Sequence, residues 1–486
     1  MRHIHLLLFA IVISTGLSAQ NDGQWTLERA VDYALTNNLQ IKQRNNFTDV
    51  ARINQQQAGN NRLPTASAST NIGAQFGRTI DPTTNEFNQQ TIGFQGYQIN
   101  FGINLYNGGL IKNSLRQADL DLAAAEIDQK VTANNIGLQV ANGYLNVVLL
   151  KEQLNNTRSQ LQLTTDQLNN TDALIKAGAL ATAQRFDLVA QQAANQSTIV
   201  GLENQIALAE LSLKMLLELD ADQEFNVVTP ELNPSEAELF SDYDLTEVYT
   251  AARNTQPTVL AAELRRESAA MSIEIAKAGL RPTVSLFGSL STNFSTVAKD
   301  FTNPTPGSTP TFDFGPPVPV RINGEDATIA SLQATGGSSP SFPSIGYFDQ
   351  LNRNFGQSAG MSLSIPIYSQ GRNKLNVQRA EVQRRNAELD IEQADNQLRN
   401  DIQIALANLR GARQSYRAAQ TSREAAQTAA DNAQRLFKAG AANSLDLVTA
   451  NNRLDQARTE FLRSKYQLIF NRQVIRFYLG QGLSLD

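Results

Sequence analysis

The residue types that carry out covalent or metal chemistry are nearly absent from this chain. It has no cysteine and only two histidines, His3 and His5. Without thiols there are no disulfides, thiolate metal ligands or cysteine nucleophiles. Both histidines lie in an N-terminal stretch read below as an export signal that is removed. Nucleophilic triads, zinc sites and histidine acid–base pairs then have no members to draw on. No Gly-x-x-x-x-Gly-Lys-Ser/Thr phosphate loop occurs, and no His, Cys or Met cluster marks a metal path. The expectation is no enzyme, no cofactor and no resident metal.

What remains is charge at particular places. Asp187 and Asp446 each stand in the first turn of a helix, shortly after the breaks Ala177-Gly178 and Ala439-Gly440. A helix N-terminus favours a carboxylate there, and glycine supplies the left-handed stop of the preceding helix. The other carboxylates follow helical surfaces and read as solvated faces or i,i+4 partners. The 41 basic and 46 acidic residues give a net charge of −5 with no basic block, so nucleic acid is not an expected partner.

The elements that must position these turns come as a pattern written twice. Leu174-Ile175-Lys176-Ala177-Gly178-Ala179 matches Leu436-Phe437-Lys438-Ala439-Gly440-Ala441. Phe186-Asp187-Leu188-Val189 matches Leu445-Asp446-Leu447-Val448, and Leu105-Tyr106-Asn107-Gly108-Gly109 matches Ile367-Tyr368-Ser369-Gln370-Gly371. The openings, from Leu27 and from Leu245, are also alike. Two internal repeats follow, 20–223 and 243–486, with 224–242 as a linker marked by Pro230 and Pro234.

Each repeat holds two alternating strands, expected at 65–77 and 92–106, then at 283–294 and 357–368. Tyr97, Ile99, Phe101 and Ile103 alternate with Gln98, Asn100, Gly102 and Asn104. A period of two with one apolar face fits a wall between lipid and water, and equally a half-buried soluble sheet. Long proline-free helices are expected at 109–177 and 371–439, each roughly 100 Å at 1.5 Å per residue. Shorter helices follow at 185–219 and 444–479. In the last one Leu447, Leu454, Phe461, Leu468 and Ile475 recur every seven residues, a heptad seam. Pro64, Pro282, Gly109 and Gly371 stand where helix and strand exchange, which suits the change of backbone.

Residues 1–19 read as a signal peptide, with Arg2 before an apolar run from Leu6 to Leu17 and small residues Ser18-Ala19 at the cut. No other apolar stretch is long enough for a spanning helix, so a membrane-embedded mature chain must use a β-barrel. Four strands cannot close one, and an open edge is not tolerated in lipid. Three copies would give twelve strands and an open lumen, which a transport role needs; two would give eight, whose interior side chains fill. The fold class is thus an α+β membrane protein: a trimeric twelve-stranded barrel, four strands per chain, continuing into a long α-helical coiled barrel.

The duplicated strand-strand-helix plan, the Tyr-Asn-Gly-Gly and Tyr-Ser-Gln-Gly turns and the Gly-then-Asp-Leu-Val restarts resemble the TolC family of outer-membrane efflux proteins. The resemblance covers essentially the whole mature chain. It implies a homotrimer in outer-membrane lipid, a multi-pass β-barrel with a periplasmic helical extension. Its partners would be a periplasmic adaptor and an inner-membrane pump. The function implied is a passive exit duct for efflux or type I secretion. The alternative is a trimeric surface scaffold or adhesin with a helical stalk.

The resemblance also carries roles over by position. Ala177, Gly178, Ala439 and Gly440 become tip turns that dock the adaptor, and Asp446 with Asp187 becomes the periplasmic mouth. Asp446 matches the first acidic residue of the family's Asp-x-x-Asp, whereas Thr449 stands at the second. Trp25 to Leu39 and Asp242 to Gln256 would form a belt. The proline-rich segment Asn293–Gln357 is either a large extracellular cap or a plain disordered loop.

Overall fold

The computed structural model describes residues 24–80, 87–88, 91–229, 242–338 and 340–481. The signal-peptide reading and most of the linker lie outside them. In chain order the elements are β1 (Gln24–Trp25), α1 (Leu27–Asn37), α2 (Leu39–Asn60), β2 (Thr65–Gln75), β3 (Thr79–Ile80), β4 (Phe87–Asn88) and β5 (Ile92–Asn107). Then come α3 (Leu110–Lys176), α4 (Gln184–Leu217), β6 (Asn226–Val227), α5 (Leu245–Thr255), α6 (Pro257–Ala278) and β7 (Thr283–Ser295). The last are β8 (Thr311–Phe314), β9 (Val318–Ile322), β10 (Glu325–Ile329), β11 (Leu332–Thr335), α7 (Tyr347–Arg353), β12 (Gly356–Ser364), α8 (Arg372–Lys438) and α9 (Ser444–Tyr478). The chain forms two compact units, one of residues up to 55, 116–270 and 381 onward, the other of 56–115 and 271–380.

The first unit is helical. α3 and α8 are each 67 residues long, far beyond the three turns of an ordinary helix. Two short helices of 11 residues, α1 and α5, pack on them. Each starts on a side-chain cap. The Thr26 hydroxyl accepts from the Arg29 amide at 3.3 Å, and the Asp244 carboxylate accepts from the Thr246 and Glu247 amides at 2.8 and 3.3 Å. Those amide bonds hold the Asp244 carboxyl below the usual carboxylate range.

A buried amide follows each short helix. Asn38 Nδ2 donates to Leu216 O at 2.9 Å, and Gln256 Nε2 donates to Phe477 O at 3.2 Å. Each bond reaches a carbonyl near the C-terminus of α4 or α9, where helix carbonyls lose their intrahelical partners; Phe477 O also accepts from the Gly480 amide at 3.0 Å. The apolar core lies here too. Trp25, Val31, Val140, Tyr144, Val148 and Leu213 form one cluster, and Val248, Ile402, Leu406, Leu409, Leu468 and Ile475 another.

The stretch expected to be a plain linker contributes to the first cluster. Asn226 and Val227 form β6, which pairs parallel with Gln24 and Trp25 of β1. Val227 is buried, and the Tyr144 hydroxyl lies 3.1 Å from Trp25 O and 2.5 Å from Val228 O. Burial pushes the Tyr144 phenol well above its ordinary value.

The second unit is built on one antiparallel sheet of order β12-β7-β5-β2. Its register sorts the side chains by face, because directly paired residues share one. Ala68, Ile99 and Leu290 align on one face, as do Ala66 with Phe101 and Met361 with Leu286 and Ile103. Ser67, Asn100, Ser289 and Ser358 align on the other. The first face is mainly apolar and the second mainly polar, with Phe94 and Phe287 standing on the second. The outer edges of β2 and β12 pair with nothing among the described residues.

Pro64 and Pro282 immediately precede β2 and β7. On the return path Gly108 and Gly109 have φ of 68° and 92°, and Gln370 and Gly371 have 54° and 75°. A Cβ at Gly108 would meet Ala278 O at 2.7 Å, and Arg281 Nη1 donates to Gly108 O at 2.8 Å, so the backbone is clamped at this crossing. β12 stops at Ser364, short of the expected Tyr368, where Pro366 has no N–H for the ladder.

The long segment between β7 and β12 is structured. β8 pairs with β11 and β9 with β10, closed at Asn323-Gly324 with φ of 55° and 94°, the left-handed pair a tight hairpin uses. Among the described residues no helix is long and apolar enough to cross a membrane.

Candidate functional site

The two helix reversals of the first unit are the candidate site. Both begin in the same way. After α3 the Gly178 amide donates to Ile175 O at 2.9 Å and the Ala179 amide to Leu174 O at 2.9 Å. After α8 the Gly440 amide donates to Phe437 O at 3.0 Å and the Ala441 amide to Leu436 O at 2.9 Å. This is the paired-bond helix stop that requires a left-handed residue. Gly178 and Gly440 supply it with φ of 75° and 72°, and a Cβ on either would meet nothing within 4 Å. Ala177 and Ala439 are the last residues before these glycines.

The restarts differ. Asn443 caps α9, its Oδ1 accepting from the Asp446 amide at 2.8 Å. α4 has no side-chain cap and starts through tight turns from Ala181, Thr182 and Ala183. Arg185 Nε instead reaches Asp172 Oδ1 on α3 at 2.9 Å. One bond ties the two reversals together: buried Ser444 Oγ donates to Asp187 Oδ2 at 2.7 Å. Asp187 is half-buried, and Asp446 is exposed at the start of α9.

Behind the reversals the helix interface is polar. Thr157, Gln160, Thr164, Gln167 and Thr171 of α3 recur at alternating steps of three and four, the seam spacing of packed helices, and all are buried. Asn195 Nδ2 of α4 donates to Thr164 Oγ1 at 3.2 Å, and Asn451 Nδ2 of α9 donates to Gln167 Oε1 at 3.3 Å. Gln160 Nε2, Gln167 Nε2 and Thr171 Oγ1 find no protein partner among the described residues. Unmade bonds of buried groups weaken an interface. Further along α9, burial pushes the Asp455 carboxyl up, against the opposing pull of Arg458, and pushes the Lys465 ammonium down.

This arrangement is similar to that of known proteins. The outer membrane efflux protein model matches residues 248–481. The efflux protein BepC of Brucella suis is 22% identical over 96% of this chain and 87% of its own. A Haemophilus influenzae protein of uncharacterized function is 24% identical over 60% of this chain, and the match spans 62% of that relative, less than two thirds of its length. The crystal structure of the outer membrane protein VceC from Vibrio cholerae has the same fold, with a TM-score of 0.71 at 16% identity, covering 94% of this chain and 97% of that one.

The second half of this chain is thus similar to the outer membrane efflux protein family. The matched family and BepC are described as outer membrane efflux proteins, and VceC as an outer membrane protein. In this chain Asp187 and the start of α9 come together, whereas the Asp446 side chain makes no hydrogen bond or ion pair among the described residues. Pro64, Pro282, Gly109 and Gly371 sit at the strand–helix exchanges of the second unit, apart from the reversals in the chain. Sequence reasoning missed Ser444, Asn443 and the Asp172–Arg185 pair. It also missed the Thr/Gln seam, whose three-and-four spacing is visible in the sequence once polar residues are admitted to the pattern.

Proposed function

We propose that three copies of this chain close a twelve-stranded barrel in the outer membrane and form a passive exit duct for efflux or type I secretion. The observation that carries this reading is the four-stranded sheet. Its apolar face suits lipid, its polar face suits a water-filled lumen, and its two outer edges call for strands from other copies. The efflux role named for BepC supports the same direction of transport.

Driving energy comes from elsewhere, since the chain has no phosphate loop. The partners are an inner-membrane pump and a periplasmic adaptor. The adaptor docks on the tip turns Ala177-Gly178 and Ala439-Gly440, whose glycines face open space. Asp446, exposed and repeated around a three-fold axis, charges the mouth negatively and favours cations. The Ser444–Asp187 bond holds the two reversals of each chain together in the closed mouth.

The test is the mass of the detergent-extracted particle together with single-channel conductance in a planar bilayer. A trimer that conducts is the expected result. A trimer without conductance points to the surface scaffold, and a monomer ends the duct reading.

A further inference from the structure

The segment between β7 and β12 ends in a short helix, α7, whose position on the sheet is specific. The Tyr347 hydroxyl lies 2.8 Å from the Tyr97 hydroxyl and donates to Gln95 Oε1 at 3.0 Å. The Tyr347 ring packs on Phe294, with centroids 4.8 Å apart. Thr292 Oγ1 donates to Leu351 O at 2.6 Å. In the register, Tyr97 pairs with Thr292 and Gln95 with Phe294. These positions continue the face of Ile99, Leu290 and Phe101. α7 therefore lies on the apolar face, at the end of the sheet away from Pro64 and Pro282.

The seat is held firmly. Gln350 is buried and brackets Ser295, its Oε1 accepting from the Ser295 amide at 2.9 Å and its Nε2 donating to Ser295 O at 3.0 Å. Asn354 Nδ2 donates to Asn293 O at 2.9 Å. Against this fixed base Phe348 is 80% exposed, packed edge-on to Tyr347 with centroids 5.3 Å apart. A rigidly presented, uncovered phenyl ring beside tyrosine hydroxyls, at the margin of a lipid-facing wall, has the make-up of an interfacial anchor. Aromatic rings with a polar tip settle where hydrocarbon meets headgroups.

We propose that α7 binds the outer-membrane lipid surface, with Phe348 seated at the hydrocarbon–headgroup boundary and the Tyr97 and Tyr347 hydroxyls toward the headgroups. The inference rests on the reading of the sheet as a barrel wall. Its occupant is lipid because the face on which α7 sits runs without interruption into the apolar band of Ile99, Leu290 and Met361. α7 fixes the depth at which the barrel rides.

The chain has no cysteine, so single-cysteine variants report cleanly. Phe348→Cys and, separately, Met361→Cys of the full chain are spin-labelled and placed in vesicles of phosphatidylethanolamine and phosphatidylglycerol. Collision with oxygen, which concentrates in lipid, is compared with collision with a water-soluble nickel chelate. Both labels are expected to favour oxygen, with Phe348→Cys shallower than Met361→Cys. If Met361→Cys favours oxygen but Phe348→Cys favours nickel, or is shielded from both, the anchor is overturned and the barrel wall stands. If Met361→Cys itself favours nickel, the barrel wall falls and the anchor with it.

Discussion

Ser444 Oγ donates to Asp187 Oδ2 across 2.7 Å, joining the first turn of α9 to the first turn of α4 over 257 residues of chain. The hydroxyl is buried and the carboxylate half-buried. Removing the donor costs about 1 kcal/mol, roughly a fivefold change in a local opening equilibrium. Ser444→Ala should therefore speed hydrogen exchange of the amides after Asn443 by about that factor. Ser444→Thr, which keeps the hydroxyl, should restore most of the protection. Equal exchange in all three proteins would show that the bond holds nothing.

The glycine stops make a second prediction. Gly178 and Gly440 sit at φ of 75° and 72° in open space, so alanine there meets strain and no clash. The expected cost is about 1–2 kcal/mol at each site. Asparagine, which tolerates this conformation, should cost less and valine more. Limited proteolysis at 177–184 and 439–444 would rank the variants, and an order without valine as the most labile would refute the backbone explanation.

Asp446 carries the charge prediction. It is exposed at the start of α9, and its backbone amide, not its carboxylate, makes the capping bond to Asn443. Asp446→Ala should remove block by multivalent cations in planar bilayers while leaving the fold intact. Block of unchanged strength would assign the residue to the helix N-terminus alone.

The base of the long segment should be acid-sensitive. The Asp300 carboxyl is lowered to about 2 from an ordinary 3.8, chiefly by the Thr302 hydroxyl at 2.6 Å and then by Arg353 at 3.2 Å. Its folded value lies below the unfolded one. The contribution is thus complete above about pH 4 and lost as pH falls through about 2. Amide protection of 298–302, corrected for intrinsic exchange, should drop between about pH 4 and pH 2 in the natural protein. In Asp300→Asn the same drop should be absent.

Removing the β-ribbon should be harmless. The Asp300 amide donates to Pro343 O at 2.8 Å, so the two ends of the ribbon already touch. Replacing 301–342 by a short Gly-Ser turn keeps Gln350 and its bonds to Ser295. Particle mass and conductance should be unchanged; loss of the oligomer would make the ribbon part of the assembly.

Much of this architecture could be read from residue spacing. Alternation marked β2, β5 and β7 because a sheet with unlike faces imposes a period of two. The Ala-Gly breaks marked the reversals because few residues other than glycine adopt their backbone. What stayed hidden depends on partners distant in the chain. β6 is two residues long, and only Trp25, about 200 residues earlier, makes Val227 part of a core. Ser444 looks like a routine helix start until Asp187 is placed beside it. The Thr157–Thr171 seam escaped because a search for apolar heptads discards threonine and glutamine as surface. β12 was drawn too long because alternation continues through Ile365 and Ile367, although Pro366 ends the ladder.

That Thr/Gln seam also sets how the reversals respond to heat. Parting apolar helices hydrates hydrocarbon and raises heat capacity, whereas wetting polar groups lowers it. Separating α3 from α4 and α9 along Thr157, Gln160, Thr164, Gln167 and Thr171 wets side chains that are mostly polar. The enthalpy of loosening this end of the bundle should stay almost constant from cold to warm. The cluster around Trp25 and Tyr144, by contrast, grips by a force that itself changes with temperature.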